Sequence, residues 1–377
     1  MSTYPPPPQI APPAGMGPRP FWSVMIPTYN RPEYLEKALS SVLSQDPGPE
    51  EMQIEVVDNA STIYDPEALV RRVGGDRVTL FRHPRAIHAH LNFNSCIERS
   101  RGEWVHILHD DDMVLPGYYE RLKFGLESRD EVGAAFCRNA FIDEHERSLG
   151  TSELLRPTAG ILPDFLEKIV TRNRIFFPAI VVRRSVYQEL GGFRSDLHAA
   201  DWDLWIRIAA HYPVWYEPTT LVAWRCHSKS GSAALVISGE FVADERRVIE
   251  MNRCWLPPDR AEAIAGSARE SLYLKAVSMT SQEGAVLGLV EELIKVLGRC
   301  PIDRVGVANA LLRAARIHYR QGRRFQALVL MVRRAIIIGP IVLRGVLWNI
   351  FIHRTFPLRK RLGLRRRVSI EHDARRV

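Results

Sequence analysis

The chain has 377 residues, 46% of them hydrophobic and 25% charged, so it can bury a sizeable core and is not globally disordered. Its formal net charge of +8 is unevenly spread: residues 301–377 hold 18 Lys/Arg and three Asp/Glu, a net of +15, which leaves the first 300 residues at −7. The larger part is therefore acidic and the basic part lacks a groove-reading motif, so nucleic acid is not an expected partner.

Residues 1–20 contain eight prolines and read as a disordered or polyproline leader. From Phe21 the pattern changes. Trp22 to Ile26 is a short apolar run ending at Pro27, a buried-strand candidate. Glu33 to Ser44 has apolar residues at 35, 38, 39, 42 and 43, the spacing of a helix. Strand candidates follow at Ile54–Val57, Val78–Phe81 and Trp104–Leu108, separated by helical patterns at Pro66–Val73 and Leu91–Ser100. Strands alternating with helices predict a parallel α/β sheet, whose ligands bind beyond the carboxyl ends of the strands. Those ends are Thr28-Tyr29-Asn30, Asp58-Asn59 and His109-Asp110-Asp111-Asp112.

Further on, Pro116–Glu127 predicts a helix, Gly133–Cys137 a strand and Phe176–Val182 an extended stretch. Arg184–Leu190 is a short helix stopped by Gly191-Gly192, and Asp201–Ala210 is a strong helical pattern. Val214–Tyr216 and Leu221–Trp224 read as two short strands. Residues 240–353 read as helices, broken at Pro257-Pro258, Pro301 and Gly339-Pro340.

The sharpest chemical feature is the acidic run Asp110–Asp112 at the end of an apolar strand. Adjacent carboxylates repel, and at a strand end they suit a hard divalent cation with oxygen ligands at about 2.0–2.1 Å. Such a cation, Mg²⁺ or Mn²⁺, commonly shares its coordination with substrate phosphates. Asp58 can accept hydrogen bonds from a base or a ribose, or make an ordinary turn. Thr28, Asn30 and Arg31 offer hydroxyl, amide and guanidinium groups in a strand-to-helix turn. Asp201 either caps its helix or serves as a general base beside Trp202 and Asp203. Arg225 and His227 lie in a basic loop suited to a diphosphate or a metal.

In order and spacing, Val24–Arg31, Val56–Ser61, Asn92-Phe93-Asn94, Arg101–Trp104, Ile107–Asp112, Gly191-Gly192-Phe193, Asp201–Trp205 and Arg225-Cys226-His227 together resemble family 2 glycosyltransferases of the GT-A fold. That resemblance implies a Rossmann-like nucleotide-sugar-binding domain, a nucleoside-diphosphate-sugar donor, a divalent metal and inversion at the anomeric carbon. Carried onto this chain, it implies that Thr28 and Asp58 contact the base and that Asp110 sits near the ribose. Asn30, Arg31, Asn92 and Arg225 join the donor side. Asp111, Asp112 and His227 hold Mn²⁺ or Mg²⁺, Asp201 is the catalytic base, and Trp202 and Asp203 face the acceptor. Two departures stand out: His109 occupies a place where the family often has Asp, and Ala200 a place where it often has Glu.

The expected organisation is a leader over 1–20, the GT-A domain over 21–238, a mainly α-helical region over 239–353 and a basic tail over 354–377. Residues 325–353 mix apolar runs with Arg333, Arg334 and Arg344, which suits an interfacial helix on an anionic membrane or a packing domain. The five cysteines form no metal-ligand spacing, no signal peptide is evident, and no run reaches the length of a membrane span. The expected place is the cytoplasm, either free or peripheral on the inner face of the plasma membrane. The expected partners are a UDP- or dTDP-sugar and a glycan or lipid-linked acceptor. Two rival readings are a phosphatase-like enzyme that attacks through the Asp110–Asp112 motif and a non-catalytic nucleotide- or membrane-binding module.

Overall fold

The computed structural model describes residues 4–12, 19–227 and 240–279. The helices expected beyond residue 279, the 325–353 stretch and the basic tail lie outside the described residues.

The first half alternates as the sequence pattern demands. The order is β1 (Trp22–Thr28), α1 (Pro32–Leu43), β2 (Met52–Asp58), α2 (Pro66–Gly74), β3 (Thr79–Arg82), α3 (Ala89–Arg99) and β4 (Trp104–Ile107). Every residue of β1, β2 and β4 is buried, which explains their continuous apolar character. Helix α1 starts at Pro32, whose fixed φ suits a first turn, and buries Leu35, Ala38, Leu39 and Val42. Asp65 caps α2 by accepting from the amides of Glu67 and Ala68. The four strands run parallel in the order β3-β2-β1-β4. Thr28 pairs with Asp58, so β1 and β2 end level with one another.

The second half departs from a purely parallel sheet. Its elements are β5 (Met113–Val114), α4 (Tyr118–Leu126), β6 (Ala134–Ile142), β7 (Ser148–Thr151), β8 (Gly160–Ile161), α5 (Phe165–Thr171), β9 (Ile180–Arg183), α6 (Arg184–Leu190), α7 (Ala200–His211) and β10 (Val214–Arg225). Strand β9 lies antiparallel between β4 and β6, and β10 runs parallel to β6, so the sheet is mixed. The two short strands expected over 214–224 are one continuous strand. Pro218 sits where its register against β6 shifts, a place that tolerates a missing N–H. Helices α8 (Glu240–Asn252) and α9 (Ala261–Met279) follow. Among the described residues no helix is long and apolar enough to cross a membrane.

The leader requires a correction. Residues 4–12 are not a disordered stretch but a strap packed on the domain, and Ile10 is buried. Proline removes donors but leaves carbonyls, and the domain supplies the missing partners. The amide of Gly192 donates to the Pro8 carbonyl at 2.8 Å, and the guanidinium of Arg184 donates to the Ala11 carbonyl at 2.9 Å. Arg194 donates to the Pro5 carbonyl. Gly191 makes room for this approach: a Cβ there would stand 2.7 Å from the Pro8 oxygen. Deleting residues 1–12 should therefore cost about 2–4 kcal/mol of stability, since donors of two buried arginines lose acceptors. Thermal unfolding checks this, and an unchanged midpoint would contradict it.

Candidate active site

Strand β4 delivers three successive carboxylates to its carboxyl end, all nearly buried, and each faces a different set of partners. Asp110 turns toward β1. Its Oδ2 accepts from the Thr28 hydroxyl at 2.8 Å and the Tyr29 amide at 3.3 Å, and its Oδ1 accepts from Arg31 at 3.2 Å. Asp111 accepts from Arg31 and lies 3.0 Å from His227 Nε2. Asp112 turns toward β10, where its Oδ1 accepts from the Arg225 amide at 2.9 Å. The Arg225 guanidinium donates back to the Asp111 carbonyl at 3.0 Å. Met113, the next residue, pairs with Ala223, so β5 locks the run against β10.

The electrostatics follow from this division. Burial and the neighbouring Asp111 push Asp110 up, and burial with Asp111 pushes Asp112 well up. Burial alone would raise Asp111 too, but the His227 hydrogen bond and the positive groups around it hold it below the usual carboxylate range. One donor atom each from His109, Asp111 and Asp112 lies within 4.8 Å of the others. Asp112 Oδ2 and His109 Nε2 are buried with no hydrogen-bond partner among the described residues. An orphaned carboxylate oxygen and an orphaned imidazole nitrogen on residues of one cluster are the donor chemistry a divalent cation completes.

The neighbouring strand ends close the site. Asp58 Oδ2 accepts from the Ser61 amide at 3.0 Å and pairs with Arg82 at 3.2 Å, while its buried Oδ1 has no partner among the described residues. Asn30 holds a left-handed φ of 56° and accepts from the amides of Thr62 and Ile63, which clamps the β1 and β2 loops together. Asn92 donates to the Val57 carbonyl at 3.2 Å and so anchors α3 under β2. Tyr34 stacks near both His227 and Arg225.

Asp201 lies in the first turn of α7, partly exposed, and accepts from Asn173 at 3.3 Å. Burial pushes its carboxyl up to about 6. Trp202 and Asp203 do not sit where an acceptor-facing role would need them. Trp202 is buried and donates to the Ile169 carbonyl at 2.7 Å. Asp203 is buried between Arg194, Arg207 and Asn252. Successive helical residues point about 100° apart, so Asp201 can face outward while the next two turn into the core. Sequence reading missed Asn173, Tyr64 and Arg82, which reach Asp201, Thr28 and Asp58 from other segments. None belongs to a local pattern that would mark it.

A phosphatase-like role for Asp110 meets an obstacle in this geometry. A nucleophile needs an open oxygen, whereas both Asp110 oxygens are engaged from within the protein.

Residues 23–191 match the model of Glycosyl transferase family 2. They form a family 2 glycosyltransferase domain. An uncharacterized protein of Mycobacterium tuberculosis is 29% identical over 246 residues, covering 61% of this chain and 75% of that one. An uncharacterized glycosyltransferase of Rickettsia felis is 26% identical over 224 residues, covering 56% of this chain but only 35% of that protein. The chain thus spans about a third of that relative. The Staphylococcus aureus TarS 1–349 structure in complex with UDP-GlcNAc superposes with a TM-score of 0.59 at 16% identity, covering 82% of this chain and 90% of TarS 1–349. That likeness is one of fold, and the family 2 domain here has the GT-A fold. In it, the acidic run joins the parallel half of the sheet to β10.

Proposed function

We propose that this chain is an inverting, metal-dependent glycosyltransferase acting through a domain over residues 21–238. It moves a sugar from a nucleoside-diphosphate sugar to the hydroxyl of a glycan or lipid-linked acceptor. The observation that carries this reading is the run Asp110–Asp112 at the end of β4, held level with Thr28 and Asp58, with Asp112 Oδ2 left without a partner among the described residues. The non-catalytic rival would not need that orphaned oxygen or a base with a raised pKa.

In this reading Thr28, Asn30, Arg31, Asp58, Asn92, Asp110 and Arg225 form the donor side. Asp111, Asp112 and His227 would hold Mn²⁺ or Mg²⁺, which when bound supplies positive charge for a diphosphate leaving group. Asp201 takes the proton of the acceptor hydroxyl. The freed oxygen lone pair forms a bond to the anomeric carbon as the carbon–oxygen bond to the diphosphate breaks on the opposite face. Arg31 and Arg225 add positive charge on the leaving side. The UDP-GlcNAc named with TarS supports testing UDP-sugars first, with dTDP-sugars beside them. Residues 325–353 and the basic tail over 354–377 are proposed to rest on an anionic membrane face.

Three outcomes test this reading. Asp201→Asn should abolish transfer while keeping donor binding, a loss of about 10²–10⁴-fold. Because the base must be ionised and its pKa is raised to about 6, wild-type kcat should fall as pH drops through about 6. Near wild-type turnover in the variant, or a flat profile through that range, would remove Asp201 from the role. In a thermal-shift panel of nucleotide sugars with Mn²⁺ or Mg²⁺, one donor class should stabilise the wild type. Chelator and Asp111→Ala should each cancel that shift. On anionic liposomes, truncation after residue 320 should lose flotation; equal flotation would refute the membrane-facing role.

A further inference from the structure

We infer that His109 is a metal-ligating residue, and that its Nε2, together with Asp111 and Asp112, makes a site preferring Mn²⁺ or Co²⁺ over Mg²⁺. The inference rests on the metal reading of the acidic run and adds to it a ligand and a selectivity.

Three observations converge. The donor atoms of His109, Asp111 and Asp112 lie within 4.8 Å of one another. Donors bound at about 2.1 Å stand about 3 Å apart when adjacent and about 4.2 Å when opposite, so modest side-chain adjustment brings the three onto one ion. His109 Nε2 and Asp112 Oδ2 are both buried without a partner among the described residues, and Asp112 is 1% exposed. The imidazole ring cannot easily turn away, because it is packed against Phe93 at 4.9 Å and Phe177 at 4.1 Å between centroids.

His106 shows what a purely structural histidine looks like three residues earlier on the same segment. It is fully buried, and both of its ring nitrogens are engaged, one with the Tyr119 hydroxyl at 3.1 Å and one with the Pro178 carbonyl at 2.9 Å. His109 has similar aromatic surroundings, yet its Nε2 lacks such a partner among the described residues. Leaving a buried polar nitrogen unsatisfied is costly, and a metal ion removes that cost. His227 Nε2 is already 3.0 Å from Asp111, so His109 offers a nitrogen not engaged by the run itself.

The selectivity follows from donor chemistry. Carboxylates alone suit Mg²⁺, which takes oxygen donors in a strict octahedron. An imidazole favours later first-row ions, whose affinity rises from Mn²⁺ to Co²⁺. An aspartate at this place would make the set all-oxygen; His109 makes it mixed.

The test uses the full chain with UDP and Mn²⁺, read by pulsed electron paramagnetic resonance for directly bound ¹⁴N and by calorimetry for affinity. His227→Gln should retain a coupled imidazole nitrogen, and His109→Asp should lose the contribution of its own. The preference for Mn²⁺ over Mg²⁺ should fall about tenfold in His109→Asp. Nitrogen coupling and preference unchanged in that variant would overturn the inference. If His109→Asp fails to fold, absence of coupled nitrogen in His227→Gln overturns it equally. Failure of the parent reading looks different: wild type binds no Mn²⁺, or binds it as well in Asp111→Ala, and both proposals then fall.

Discussion

Three neighbouring carboxylates cannot share one buried space without separate compensation, and the domain is arranged around that constraint. The chain solves it by direction. Asp110 turns to the β1 loop, Asp111 to Arg31 and His227, and Asp112 to the backbone of β10. Their opposed shifts, Asp111 down and its neighbours up, express the same repulsion in protonation. The partners come from both halves of the sheet, so the run cannot be satisfied until the halves close.

The rest of the architecture serves that closure. Parallel β1, β2 and β4 bring Thr28, Asp58 and the acidic run to one edge. Strand β9 reverses direction and lets β6 and β10 extend the sheet beyond β4. Helix α7 carries Asp201 outward while Trp202, Asp203 and Arg207 hold it from within. Asp203 links Arg207 to Arg194, and Arg194 in turn holds the Pro5 carbonyl of the strap. The strap is thereby tied to the helix that bears the proposed base.

Much of this was legible in the residues, and what was not has physical reasons. The ends of β1, β2 and β4 follow from apolar runs that stop at polar residues, so the strand-end positions could be read directly. The order of motifs carried the family. Strands β5 and β8 have two residues each, too few for any periodicity. The reversal at β9 depends on tertiary pairing, which a local pattern does not encode. Prolines at 5–8 signalled an absence of helix or sheet, correctly, but not the docking of the strap. That docking uses carbonyls, which every residue has, and arginines 173 and 189 residues away. The inward turn of Asp203 depends on the arginines and Asn252 around it, which only the folded chain assembles.

The short ladder between β5 and β10 has a consequence for how this protein can change length. Ala223 opposes Met113, so Asp112 lies one residue and Arg225 two residues beyond the last paired rung. In a β-ladder, a slip of one residue reverses which face every side chain meets. Inserting or deleting a residue between Asp112 and Met113, or between Ala223 and Arg225, would turn Arg225 away from the carboxylates. A change of length is therefore better tolerated outside that ladder, as in the loop between β7 and β8, whereas the turn over 143–147 also holds Arg225 through the Asp143 carbonyl and Glu146.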